Sequence, residues 1–191
     1  MFSIREKSLY VSELDLWVDS MRARSRCYVS HGHSDHARAH EIVVTTPHNA
    51  AVCRKRFGAK APFDKLRAGT KLRAGSTKPP PVEVTFEEHG YNEPWDEGAH
   101  RLTLFSAGHV LGSAQLLIEG EAGRFVYTGD FKLGRAYTCE PAEVKPCDVV
   151  LMECTYGRPQ YVFPSRDTVE EQMIEFALRA LEDGVAPIFY A

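Results

Sequence analysis

Residues 31 to 36 of the chain read HGHSDH and follow directly on the apolar run CYVS. Burying imidazoles and carboxylates without partners costs on the order of several kcal/mol each. A fold that seats the preceding run as an inner strand must therefore open its end onto a site where something neutralises these groups. The spacing does not suit one helix face, which an i, i+4 histidine pair would. On a loop after a strand, alternate residues can converge on two neighbouring points, His31 and His33 on one metal, Asp35 and His36 on a second. Imidazole nitrogens with carboxylate oxygens and no cysteine suit zinc or a similar divalent ion in a catalytic site.

A two-metal site needs further ligands, drawn from other strand ends. His109 in SAGHVLGSA follows the apolar LTLF, and Gly108 and Gly112 beside it let the backbone turn tightly around a bound group. Asp130 in VYTGDFK stands just past an apolar strand, where a bridging carboxylate would be wanted. Asp19 closes the strand LDLWV and could orient a ligand imidazole from behind, or simply end the strand in a turn. Glu153, after VVLM, is either a functional acid or a turn cap. His40, His48, His89 and His100 lack such settings and read as surface or structural residues.

Elsewhere strand-like and helix-like runs alternate. Strands are expected in SLYV, LDLWV, CYVS, EIVVTT, VEVTF, RLTLFSA, AQLLIEG, RFVYTGD and VVLMEC. PHNAAVCRKRFG reads as a short helix, with Pro47 near its start and Gly58 past its end. A second helix is expected from about residue 167. Thr168 and Glu171 would form its capping box, Val169, Met173, Phe176, Ala177, Ala180 and Leu181 its apolar stripe, and Gly184 its C-cap. APIFYA would begin a further strand, and a chain stopping in mid-strand reads as a fragment.

The 191 residues, 43% of them hydrophobic, suffice for one domain and the start of another. The charged N-terminus is no signal peptide, and no apolar stretch approaches the ~20 residues of a spanning helix. Five cysteines, none in a C-x-x-C pair, argue against a disulfide framework and a thiolate zinc site, so the expected setting is cytoplasmic, with no membrane. The net charge of −3 hides a basic block from Arg54 to Lys78, with nine Lys/Arg against Asp64 alone. That block could track a phosphate backbone. It contains KLRAG twice, at 65–69 and 71–75, followed by STKPPP, which reads as an inserted surface loop.

HGHSDH, AGHVLGSAQ, YTGDFK and ECTYG, in this order, resemble the metallo-β-lactamase fold and, more narrowly, its β-CASP nucleases. HARAHEIVVTTPHNAAV and TCEPAEVKPCDVV are most similar to ligase-associated bacterial DNA exonucleases and their RNA-processing relatives. The resemblance implies an α/β fold, the αββα four-layer sandwich, over residues 1–160 with an insertion at 60–80. Residues 161–191 would begin a β-CASP region, incomplete here. It further implies two zinc ions, one held by His31, His33 and His109, the other by Asp35 and His36, with Asp130 bridging. Asp19 matches the first-motif aspartate. Glu153 matches the acid that opens the β-CASP part and works with a histidine in protonating the leaving group. The implied activity is zinc-dependent hydrolysis of nucleic acid, as a 3′-end-directed DNA exonuclease, with a DNA ligase as a possible associate. RNA 3′-end processing is the alternative within the class. A thioester or lactam hydrolase and a non-catalytic zinc-binding fragment are the alternatives outside it. Three departures stand out: Cys154 replaces the family's serine, the basic repeat is extra, and the family's later histidines, one of them a ligand of the second zinc, have no counterpart here.

Overall fold

The computed structural model describes residues 2–58 and 84–189; the KLRAG repeat and most of the basic block lie outside the described residues. The chain divides into two compact units, 1–153 and 154–191.

The first unit holds two mixed sheets. One runs β1 (Phe2–Arg5), β2 (Ser8–Val11), β3 (Leu16–Val18), β4 (Arg26–Tyr28), β5 (Ile42–Thr45) and β6 (Thr85–Glu88), in that spatial order. Its first three strands pair antiparallel and β3 to β6 pair parallel. The other has the order β11 (Val149–Leu151), β10 (Gly123–Tyr127), β9 (Ala114–Gly120), β8 (His100–Ser106) and β7 (Trp95–Glu97). It is antiparallel except between β10 and β11. Two of these strands are not legible as runs. β1 joins β2 through Glu6 and Lys7, both at positive φ, a tight turn without the usual Asn-Gly signal. β7 is short and polar, and it returns to β8 through Gly98 at φ +57.

The sheets face each other. Val11, Leu16, Val18, Tyr28 and Val44 of the first sheet meet Leu102, Leu104, Ala114, Leu116 and Ile118 of the second, all of them buried. Burying each large aliphatic side chain there contributes roughly 1.5–3 kcal/mol. A one-residue slip of β8 would turn Leu102 and Leu104 outward, so this interface also fixes strand register. The far side of the first sheet is covered by α1 (Pro47–Gly58), whose Cys53 and Phe57 pack with Cys27, Val29, Val43 and Phe86. Thr46 caps α1, its Oγ1 accepting from the Asn49 N–H at 3.2 Å, and Pro47 takes the first helical position. The far side of the second sheet carries Phe105, Leu117 and Val126 packed on Cys147.

Asp19, the HGHSDH loop, the His109 loop, Asp130 and Glu153 each follow the C-terminal end of a strand, β3, β4, β8, β10 and β11 respectively. Carboxyl ends of strands are where α/β sheets commonly bind ligands.

In the second unit, α2 spans Arg166–Glu182. Its N-cap is Ser165, whose Oγ accepts from the Thr168 N–H at 3.1 Å. This corrects the expected capping box at Thr168 and Glu171: the serine three residues earlier offers the same acceptor, so the helix starts sooner. At the other end Gly184, at φ +72, lets its own N–H reach Leu181 O and the Val185 N–H reach Ala180 O, the double bond of a Schellman motif. Of the expected apolar stripe Ala180 is buried, whereas Val169, Met173, Phe176 and Leu181 are exposed. The strand expected in APIFYA is absent among the described residues 186–189, where the unit offers no neighbouring strand to pair with.

Candidate metal centre

β4 delivers the HGHSDH loop at its end. Ser30 anchors this loop, its carbonyl accepting from the Ala114 N–H of the facing sheet at 2.9 Å. Beyond it, Gly32 passes so close to α1 that a Cβ would lie 2.7 Å from Val52 Cγ1. Arg56 of α1 also donates to the Gly32 carbonyl at 3.0 Å. His31 is fully buried and turns Nε2 toward His33 Nδ1 at 3.1 Å. His109 Nε2 lies 3.2 Å from the same His33 nitrogen.

Asp130 completes the group. Its Oδ2 is 3.7 Å from both His31 Nε2 and His109 Nε2. One ligand atom from each of these four residues lies within 4.8 Å of the others. Two nitrogens bound to one tetrahedral zinc at ~2.05 Å stand roughly 3.3 Å apart, so the imidazole spacings fit a single ion.

The other oxygen of Asp130 faces elsewhere: Oδ1 is 3.3 Å from His36 Nε2. Asp35 Oδ2 lies 3.9 Å from that nitrogen, on a side chain that is largely exposed. The two predicted pairs thus occur as adjoining clusters with Asp130 between them. Glu153 is half-buried beside them, its Oε1 accepting from the Phe131 N–H at 3.4 Å.

Behind the ligands stands Asp19, whose bonds account for both of its oxygens. Oδ1 accepts from the Ser30 N–H at 2.8 Å. Oδ2 accepts from Ser30 Oγ at 2.6 Å and Tyr127 OH at 2.9 Å, and lies 2.8 Å from His36 Nδ1. Asp19 also sits at φ +42, a left-handed conformation that aspartate tolerates better than most residues. With Nδ1 turned to Asp19, His36 presents Nε2 to Asp130. Ser30 Oγ likewise lies 3.0 Å from His31 Nδ1, leaving His31 Nε2 for the cluster.

Electrostatics separates the imidazoles. Burial, helped by the neighbouring His36, pushes His31 down to about 3, so its ring is neutral and its lone pair available. Burial lowers His109 too. For His36 burial also acts downward, but the hydrogen bond and charge of Asp19, with Asp130 and Asp35, outweigh it and leave the ring raised.

Ser30, Tyr127 and Ser113 escaped the sequence reading. Ser113 is buried and its Oγ accepts from the N–H groups of His109 and Val110, at 3.2 and 3.1 Å, caging the loop. Only their adjacency to His31, Asp130 and His109 could have marked them. Gly108 and Gly112 do not wrap a bound group as expected. A Cβ on Gly108 would lie 2.5 Å from Lys132 O, and one on Gly112 2.5 Å from Asn49 N, so both admit neighbouring backbone. His40, His48, His89 and His100 stay outside the cluster; His40 is buried, and the His89 ring stacks on Trp95 at 3.6 Å.

A pair of facing mixed sheets with imidazoles and carboxylates gathered at their strand ends makes a scaffold able to hold a metal ion. The sequence places it more closely: the chain is similar to proteins of the β-CASP group of metallo-β-lactamase fold. No family model matches it. It is 36% identical over 183 residues to a probable DNA ligase of Opitutus terrae, an alignment covering 95% of this chain and 16% of that protein. To an RNase J-like protein of Methanocaldococcus jannaschii it is 36% identical, over 47% of this chain and 22% of the relative. To RNase aCSPSF2 of Saccharolobus solfataricus it is 29% identical, over 82% and 33%. The chain therefore spans only a third or less of each of these relatives. A crystal structure of a protein of unknown function from Enterococcus faecalis V583 shares the fold, with a TM-score of 0.52 at 15% identity, covering 82% of this chain and 38% of the other. Among the described residues, no helix is long and apolar enough to cross a membrane.

Proposed function

We propose that this chain carries the centre of a two-zinc phosphodiesterase acting on nucleic acid, a 3′-end-directed DNA exonuclease. His31, His33 and His109 would hold one ion and Asp35 and His36 the other, with Asp130 shared between the two groups. The observation that carries this reading is the posture of Asp130, with Oδ2 toward His31 and His109 and Oδ1 toward His36. When bound, such a pair of ions supplies Lewis-acid polarisation of a phosphodiester and activation of water for attack.

The remaining work belongs to the chain's own groups. Burial keeps His31 uncharged, so no proton must leave before its nitrogen can serve. Asp19 orients His36 directly and His31 through Ser30. Glu153, beside Asp130 and bonded to the Phe131 N–H, is the acid that helps return a proton to the leaving oxygen. The αββα four-layer sandwich, a domain boundary near residue 160, a cytoplasmic setting and association with a DNA ligase complete the reading. The name of the Opitutus relative supports the last of these.

RNA 3′-end processing is a second reading, favoured by the RNase names of two relatives. The deciding experiment pairs zinc content, by elemental mass spectrometry, with cleavage of 3′- and 5′-labelled DNA and RNA. At least one zinc per chain, the second site being short of one ligand, with DNA shortened from its 3′ end is the expected result. Cleavage of RNA alone would select the second reading. Zinc content unaffected by His31→Ala would refute the centre itself.

A further inference from the structure

Immediately after Asp130 the chain runs FKLGRAYT, residues 131–138, with two cations and no acid. Lys132, Arg135 and Tyr137 are all exposed, Tyr137 by 57%. The Arg135 guanidinium carbon sits over the Tyr137 ring, 4.5 Å from its centroid. Gly134, at φ +96, sets the turn that brings the chain to this pair.

The segment is pinned at its start to the candidate metal centre. The Lys132 N–H donates to Ala107 O at 2.9 Å, two residues before His109, and Gly108 packs against the Lys132 carbonyl. The Phe131 N–H reaches Glu153. Arg135 is five residues from Asp130, and extended chain spans at most ~3.6 Å per residue, so the two lie within about 18 Å.

A loop fixed to a site by backbone bonds is where substrate contacts usually fall. A guanidinium already settled on a ring loses less freedom on meeting a phosphate than a loose one. Cations that track a backbone, interleaved with a ring that accepts a base, are the pattern by which proteins grip single strands.

We infer that Lys132, Arg135 and Tyr137 form a strand-holding site beside the metal centre that takes single-stranded nucleic acid, the two cations on its phosphates and the tyrosine ring on a base. The inference rests on the nuclease reading above and adds to it the form of the substrate and where it is gripped.

The test is binding of a fluorescein-labelled 12-nucleotide single strand to the 191-residue chain, by anisotropy in EDTA so that metal-dependent cleavage is stopped. Tyr137→Ala and Arg135→Ala should each weaken binding about tenfold, the usual scale for losing one stacked ring. Lys132→Ala should make the plot of log K against log salt shallower by about 0.7, one single-strand phosphate contact. Tyr137→Phe should bind like the parent and Tyr137→Leu like the alanine variant, which separates stacking from mere apolar cover and from misfolding. Unchanged affinity in the alanine variants, full binding by Tyr137→Leu, or no binding by the parent chain would each overturn the inference. A separate cleavage assay with zinc keeps the two readings apart: loop-dependent binding without cleavage would sink the nuclease assignment and leave the strand-holding site standing.

Discussion

His40 is completely buried, and its protonation should be one of the routes by which acid destabilises this fold. Its Nδ1 accepts the backbone N–H of Arg24 at 3.2 Å, which fixes the neutral ring with its hydrogen on Nε2. That Nε2 is itself buried without a partner. A second proton would have to go on Nδ1, breaking the Arg24 bond and placing a charge in the interior beside Arg24 and Arg38. Burial is the main reason the ring's pKa falls to about 4; the arginines push the same way and Asp19 opposes them. The sign follows from linkage. Above ~6.5 both folded and unfolded chains hold this histidine neutral. As pH falls below that value the unfolded chain takes up a proton that the folded chain refuses, so stability drops until about pH 4 and then levels. With pKa values of ~6.5 unfolded and ~4 folded, the loss between about pH 7 and about pH 5 is roughly 2 kcal/mol. Urea unfolding followed by fluorescence of Trp17 and Trp95 measures it, on chelated protein, against His40→Gln, whose amide oxygen can accept from Arg24 but does not titrate. His31 and His109, also lowered, are common to both proteins and cancel. The parent should lose about 2 kcal/mol more than the variant over this range. Equal losses, or a larger loss in His40→Gln, would refute the assignment of a buried neutral ring.

Three further outcomes follow from the packing and the site. Leu104→Ala, in the fully buried face between the sheets, should cost about 2–5 kcal/mol in denaturant unfolding, because the two sheets cannot close over the gap. Gly112→Ala forces a side chain to φ +77 and into the start of α1. It should destabilise the chain by at least about 1–3 kcal/mol and lower zinc binding at His109, read by calorimetry and metal titration. Asp19→Asn keeps the left-handed backbone but removes the charge that orients His36 and, through Ser30, His31. Zinc affinity should fall about 10–100-fold with little change in unfolding midpoint, and unaltered affinity would mean that Asp19 merely closes a strand.

The residues of the candidate metal centre stood out because ligand types are rare next to apolar strands and cluster in sequence: HGHSDH supplies four within six positions. His109 and Asp130 were legible as polar residues at the ends of β8 and β10. The supports were not: Ser30 and Ser113 are ordinary serines that nothing in the local pattern singles out, and Tyr127 meets Asp19 from 108 positions away. Glycine roles failed for the same reason. The pattern SAGHVLGSA marks a tight turn but not that Lys132 and α1 would occupy the space beside it. The start of α2 moved to Ser165 because two adjacent segments each offered a capping hydroxyl, and local pattern could not choose between them.

By itself the sequence determined most of the strands, the two helices and the residue types able to hold a metal, for these depend on periodicity and side-chain chemistry over a few residues. Only the tertiary structure decided that Asp130 turns one oxygen to each cluster, that Asp19 stands behind both His31 and His36, and that His40 is sealed inside with one nitrogen unpaired. Those properties are distances between strand ends, and strand ends meet only when the two sheets pack face to face.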